Sequence, residues 1–195
     1  MAGLNQPTLE LAERIAAVAR ELGIETALIG AAALAVHHYL RASEDVDLAS
    51  YVELADLHAL QQRLEAMQLH TELRTPDEDD PLGGVLEIWE DADEDGDPID
   101  AIEIVNFANP YRPGSSSAAV DAIRNAQPID AASPLRCVQL PDLIALKLYS
   151  DSLRDKADVV ELLKHNPNAD LEVIRVVCKR FGFEGTLEQL IAASR

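Results

Sequence analysis

Apolar residues return along this chain at two different periods, and the alternation between them lays out the elements. Residues 8–22 repeat leucine, isoleucine, alanine and valine every three or four positions, the signature of an amphipathic helix. Pro7 and Thr8 open that helix and Gly23 stops it. Residues 25–29 form a short apolar strand, Gly30 breaks it, and residues 31–36 start a second helix. Residues 45–48 follow as a strand, and Leu54, Leu57, Leu60, Leu64 and Met67 then form the stripe of a helix over 54–67. A strand is expected over 69–74, followed by an acidic turn (75–81) and Gly83-Gly84. Residues 85–89 and 99–105 read as paired strands around an acidic loop. A surface loop at 110–117, a helix at about 118–126 and a short strand at 136–140 come next. From residue 142 the pattern predicts helices alone, over 142–164, 169–180 and 186–193. No internal repeat or low-complexity linker interrupts the chain. The expectation is an α+β (mixed α/β) protein, with a sheet flanked by helices and a helical C-terminal part.

Composition narrows the class. With 195 residues, 48% of them hydrophobic, the chain is long enough to bury one substantial core. Its two cysteines, Cys137 and Cys178, fall in a strand and a helix, which suits small core residues in a reducing compartment. The first seven residues lack a basic segment followed by an apolar core, and no stretch approaches a membrane span. A cytoplasmic protein is expected. The formal net charge of −19, from 16 basic against 35 acidic residues, argues against non-specific DNA binding. A local basic patch or a bridging metal would still allow a nucleic-acid substrate, and a basic protein partner fits the charge better.

The run 41–48 carries the most chemistry. Side chains alternate across a strand, so Asp45 and Asp47 share one face of a segment that is otherwise apolar. Two carboxylates desolvated together repel, and a shared cation such as Mg²⁺ or Mn²⁺ relieves them. Solvated acids on an edge strand or turn are the bland alternative. Just upstream, a strand, the Gly30 turn and a helix N-terminus form a natural phosphate seat, because first-turn amides point outward. Arg41 and Ser43 either contact substrate phosphate or cap the neighbouring elements.

Lys147, Asp151, Arg154, Asp155 and Asp158 fall on one stripe of the expected 142–164 helix. A lysine is out of place inside the apolar run 143–148, which favours a phosphate-facing Lys147, with the aspartates orienting it, over a solvent face. Residues 91–97 resemble the start of an EF-hand loop. Pro98 at the eighth position and Ile102 at the twelfth exclude that reading, leaving a solvated hairpin tip. His37 and His38 end an apolar helix face, so at least one is expected to pack or cap. No His/Cys cluster has zinc spacing, and neither a nucleophile elbow nor a Walker loop is present.

An apolar strand, a Gly-small turn and a helix, followed by Arg41-x-Ser43-x-Asp45-Val46-Asp47-Leu48, resembles the nucleotidyltransferase superfold. The likeness is to the AbiEii-type and related small bacterial nucleotidyltransferase-like proteins, many of them toxins of toxin–antitoxin pairs. The segment 138–148 with its Lys147, followed by Arg154-Asp155-Lys156-x-Asp158, is similar to that group's C-terminal motif, so the resemblance spans about residues 25–165. It implies a nucleotidyltransferase-like core over 1–140 with a helical part over 141–195 packed on it. It also implies transfer of a nucleotidyl group from an NTP to RNA, a protein side chain or a small molecule, and an antitoxin partner. Asp45 and Asp47 would bind the metal, Gly30, Ala31, Arg41, Ser43 and Lys147 the nucleotide. A third carboxylate comes from Asp100 or Glu103; three apart in one expected strand, they face opposite sides, and Asp100 is the first choice. Ala31 stands where the family often has Gly or Ser and supplies no hydroxyl. The competing classes are a non-catalytic binding protein on the same fold and an antibiotic-type small-molecule nucleotidyltransferase.

Overall fold

The computed structural model describes residues 6–41, 46–80, 82–112 and 117–194. The expected roles of Ser43 and Asp45 lie outside these residues. Helix α1 (Gln6–Glu21) buries Leu11, Ala12, Ile15, Ala16, Val18 and Ala19 along one face, as the period of its apolar residues requires. It ends at Gly23, whose φ of 76° closes the last turn. Strand β1 (Thr26–Leu28) leads into α2 (Gly30–Val36), and β2 (Val46–Ser50) returns antiparallel beside β1, Leu28 opposite Leu48. Helix α3 (Leu54–Glu65), β3 (His70–Arg74) and β4 (Val85–Trp89) follow.

The acidic loop forms its own small hairpin, β5 (Asp91–Ala92) with β6 (Pro98–Ile99). Its tip is held by Asp93, whose Oδ1 accepts the amides of Asp95 and Asp97. Strand β7 (Ile102–Asn106) runs parallel to β2 and antiparallel to β4. Helix α4 (Ser117–Asn125), then the short strands β8 (Gln127–Pro128) and β9 (Arg136–Cys137), complete a seven-stranded mixed sheet in the order β3-β4-β7-β2-β1-β9-β8. Four helices end the chain: α5 (Leu140–Ser150), α6 (Leu153–His165), α7 (Leu171–Arg180) and α8 (Glu184–Ala193). Among the described residues no helix is long and apolar enough to cross a membrane.

One face of the sheet presents Val46 and Leu48, Ile102 and Ile104, Leu86 and Ile88 to the large core beneath α1 and α3. The opposite face is only partly covered. There Ala49 packs in a smaller cluster with Phe107, Ala119 and Ile123, joined by Val105 and Leu146. Buried Asn106 ties that end together, its amide donating to the carbonyls of Val52 and Gly83. At the other end of this face lie Asp47 and Glu103, both half-buried.

Two expectations need correction. The helix foreseen over 142–164 is two helices: Asp151 adopts a left-handed φ of 54°, and the Ser152 hydroxyl caps α6 by accepting the Asp155 amide. Local side-chain–backbone bonding of this kind overrides an unbroken apolar pattern. The strand foreseen over 99–105 is likewise divided. Asp100, at φ 55°, lies in the turn between β6 and β7, and β7 begins only at Ile102.

Candidate active site

The geometry starts from the β1–β2 register. The Ile29 amide donates to the Asp47 carbonyl, which lays Gly30 directly against the Asp47 side chain. A Cβ at Gly30 would overlap Asp47 Oδ2 and lie 2.8 Å from Cγ. Gly30 also has φ 55°, a conformation that L side chains avoid. Two independent reasons therefore require glycine here. On the other side of Asp47, parallel pairing with β7 brings Glu103 alongside it. The next two strands continue the row, with Glu87 opposite Glu103 and Glu72 opposite Glu87. Four carboxylates thus cross one sheet face on neighbouring strands, about 5 Å apart from strand to strand. Arg74, two residues beyond Glu72, shares that face and reaches Glu103, with Nη2 2.5 Å from Oε1.

A second cluster walls the site from the helical side. Lys147 is buried on α5, and its ammonium donates to Asp155 Oδ1 at 2.5 Å and approaches Asp158 Oδ2 at 2.8 Å. Arg41 reaches the same Asp158 oxygen at 2.8 Å, while its buried Nε has no hydrogen-bond partner among the described residues. Asp155 also accepts the hydroxyls of Ser150 and Ser152. Burial pushes the Asp155 carboxyl up, but the hydrogen bonds from Lys147, Ser150 and Ser152 outweigh it and hold it below the usual carboxylate range. Two cations face two carboxylates, so the cluster is electrically balanced. Lys147 and Asp155 also line a pocket of about 150 Å³ with Ile29, Gly30, Leu143 and Leu146.

The structure brings Gly30, Asp47 and Glu103 together and places Lys147 on the pocket wall next to Gly30. Asp100 sits before β7, and Glu103 holds the registered position beside Asp47. Ala31 is buried in the first turn of α2, behind Gly30. The expected single helical stripe is not formed: Asp151 turns away to pair with Lys156 at 2.6 Å, and Arg154 is exposed. Sequence reasoning passed over Glu72, Arg74 and Glu87. Period-two alternation on 69–74 and 85–89 marks them as one-face residues, but only the register shows that they align with Asp47.

The donor set suits a hard divalent cation: carboxylate oxygens on adjacent strands, with a glycine opposite that leaves Asp47 its place. Among the described residues no three His, Cys, Asp or Glu side chains gather as a metal site. The cysteines are buried, and burial pushes the Cys137 and Cys178 thiols up to about 12 and about 11.

Comparison with known proteins agrees with this architecture. Curated proteins contain no match to the sequence. The antibiotic-resistance factor ANT(2'')-Ia in solution superposes with a TM-score of 0.55 at 16% identity, over 98% of this chain and 100% of that one. An antigenic nucleotidyltransferase-like protein from Paracoccidioides brasiliensis superposes with a TM-score of 0.56, also at 16% identity, over 96% and 95% of the two chains. At such identities the likeness shows a shared fold. The family model of the nucleotidyl transferase AbiEii toxin, from type IV toxin–antitoxin systems, matches residues 14–194. A match over nearly the whole length, on a nucleotidyltransferase fold, makes this chain a member of the AbiEii nucleotidyltransferase family.

Proposed function

We propose that this protein transfers a nucleotidyl group from an NTP to an acceptor, using a divalent cation held by Asp47 and Glu103, and that it is the toxin of a toxin–antitoxin pair. One observation carries the reading: Asp47 stands between a glycine that admits its carboxylate and a glutamate registered on the neighbouring strand. In this reading Asp45 is the further carboxylate that the Asp-Val-Asp spacing supplies.

The acceptor hydroxyl gives up its proton to solvent as its oxygen bonds to the α-phosphorus, the bond from that phosphorus to the pyrophosphate oxygen breaks, and pyrophosphate leaves. Bound Mg²⁺ or Mn²⁺ would supply charge stabilisation for the phosphoryl oxygens. Asp47 and Glu103 hold their carboxylates at one end of the open sheet face, where the substrate enters. The first-turn amides of Gly30 and Ala31 face the phosphates, because Ile29 at the N-cap offers no capping oxygen. Lys147 shapes the wall of the same pocket through its pairing with Asp155 and Asp158. The boundary near residue 140 then has a functional sense: 1–140 supplies the carboxylates and 141–195 the wall. NTP use places the action in the cytoplasm.

A catalytically silent member of the family is the second reading, favoured by Ala31 without a hydroxyl and by a lysine already satisfied by two carboxylates. Incubation with Mg²⁺, cell extract and each α-labelled NTP separates the two. Transfer should label an acceptor, whose nature (RNA, protein or small molecule) is read from nuclease and protease sensitivity. Asp47→Asn should lower labelling by about two orders of magnitude or more, as expected when charge stabilisation is lost. Absence of label with all four nucleotides would establish the silent reading instead.

A further inference from the structure

Arg74 belongs to an edge strand, yet its guanidinium pairs with a carboxylate rooted two strands inward. Register places Arg74 opposite Val85 and Glu72 opposite Glu87, which in turn faces Glu103. The Arg74 and Glu103 side chains together bridge β4, a span of about two strand spacings. The backbone that launches it is held closely: a Cβ at Gly84, whose φ is 104°, would lie 2.9 Å from the Arg74 carbonyl oxygen. The contact it makes is to Glu103 Oε1, on the carboxylate paired in register with Asp47. Arg74 is the sole lysine or arginine on the Asp47–Glu103–Glu87–Glu72 row in the β3, β4, β7 and β2 segments.

A guanidinium and a divalent cation cannot both take the same carboxylate lone pairs, and their charges repel at close range. The geometry points to Arg74 as a resident counter-ion for Glu103, one that keeps this carboxylate on the Asp47 face and gives it up when a divalent cation arrives. Arg74 is therefore a positioning residue that sets how much cation the site needs. The inference rests on the reading of Asp47 and Glu103 as cation ligands. Its sign is definite. The Arg74 side chain is 57% exposed, so the pair is worth no more than an exposed ion pair, and removing it should ease cation binding by about fivefold.

Mn²⁺ titration of the full chain, followed by the electron paramagnetic resonance signal of the free ion, tests this. Arg74→Met should bind Mn²⁺ about fivefold more tightly than wild type, and Arg74→Lys, which restores a cation, should bind nearly as wild type does. Adding Arg74→Met to Glu103→Gln should change nothing, because the coupling disappears with its partner. Metal-free melting temperatures of Arg74→Met and wild type should agree within about 2 °C, as expected for an exposed pair. Equal or weaker Mn²⁺ binding by Arg74→Met overturns the proposal. So does a gain that persists in the Glu103→Gln background, since it would reflect net charge alone. If those failures occur while Asp47→Asn still abolishes Mn²⁺ binding, the proposal falls and the cation site stands. Should Asp47→Asn bind Mn²⁺ like wild type, the site reading falls and takes the proposal with it.

Discussion

A methyl group at position 30 would stand where the Asp47 carboxylate is. Gly30 is left-handed as well, so Gly30→Ala combines backbone strain with displacement of the Asp47 carboxylate, the cation ligand proposed above. Urea denaturation should show a loss of about 1–3 kcal/mol, and Mn²⁺ binding should weaken by at least about tenfold, the effect of dislodging one carboxylate. Gly23 is the internal control. It too has a positive φ, 76°, but nothing lies within 4 Å of an added Cβ. Gly23→Ala should therefore cost stability and leave Mn²⁺ binding unchanged; equal losses of binding in both variants would contradict the close approach of Gly30 to Asp47. The sequence marks Gly30 as a chain break between strand and helix. That the missing side chain makes room for an aspartate seventeen positions later is a property of the β1–β2 pairing.

The helical elements turn on one interruption. Residues 142–164 have an apolar period that one long helix would satisfy, and the left-handed Asp151 with the Ser152 cap breaks it. The break lets Asp155 and Asp158 of α6 close over Lys147 of α5, where an unbroken helix would have lined them along a stripe. A phosphate-facing Lys147 predicts that its loss weakens NTP binding; its pairing with Asp155 and Asp158 adds a cost in stability. Lys147→Met should destabilise the metal-free, nucleotide-free protein by about 1–3 kcal/mol, because buried Asp158 loses one of its two cations and keeps Arg41. A urea midpoint matching wild type would show the cluster to be dispensable. The same cluster dictates a pH dependence. The Asp155 carboxyl is held below its unfolded value, near 3.9. Its stabilisation is then complete above that value and disappears as pH falls toward the folded one. The stability gap between wild type and Asp155→Asn should be constant from pH 7 to about 5 and narrow below about 4. A gap that stays level through pH 3 would show that the Lys147 pairing carries no such linkage.

At the scale of the molecule, the helical part expected over 141–195 shares one hydrophobic core with the 1–140 part on which it is expected to pack. Leu143, Ile144, Leu148, Val159, Leu162, Ile174 and Leu187 lie in the same hydrophobic cluster as Ile15, Leu28, Leu48 and Ile102. Removing one side of such a cluster exposes the other, so both should melt together. Trp89, the single tryptophan, reports on β4, while far-UV circular dichroism is weighted toward the helices, four of which follow residue 140. Urea curves from the two signals should superpose. Separated midpoints would establish 1–140 and 141–195 as independently folding parts.

The sequence alone determined what local periodicity and short motifs encode: the strand–glycine–helix opening, the strand that carries Asp47, the hairpin tip over 91–97, and the resemblance to AbiEii-type nucleotidyltransferases. Each depends on residues a few positions apart, where alternation and turn chemistry act directly. Tertiary structure alone decided which acids and bases meet. Periodicity separated Asp100 from Glu103 onto opposite faces, but the β2–β7 register was needed to set Glu103 beside Asp47. The same holds for Arg74 over Glu103, and for Arg41 meeting Asp158 across 117 residues. A strand's pattern says which side a residue faces. Its partner across the sheet or in the helical layer is set by long-range packing, in which the whole core chooses one register.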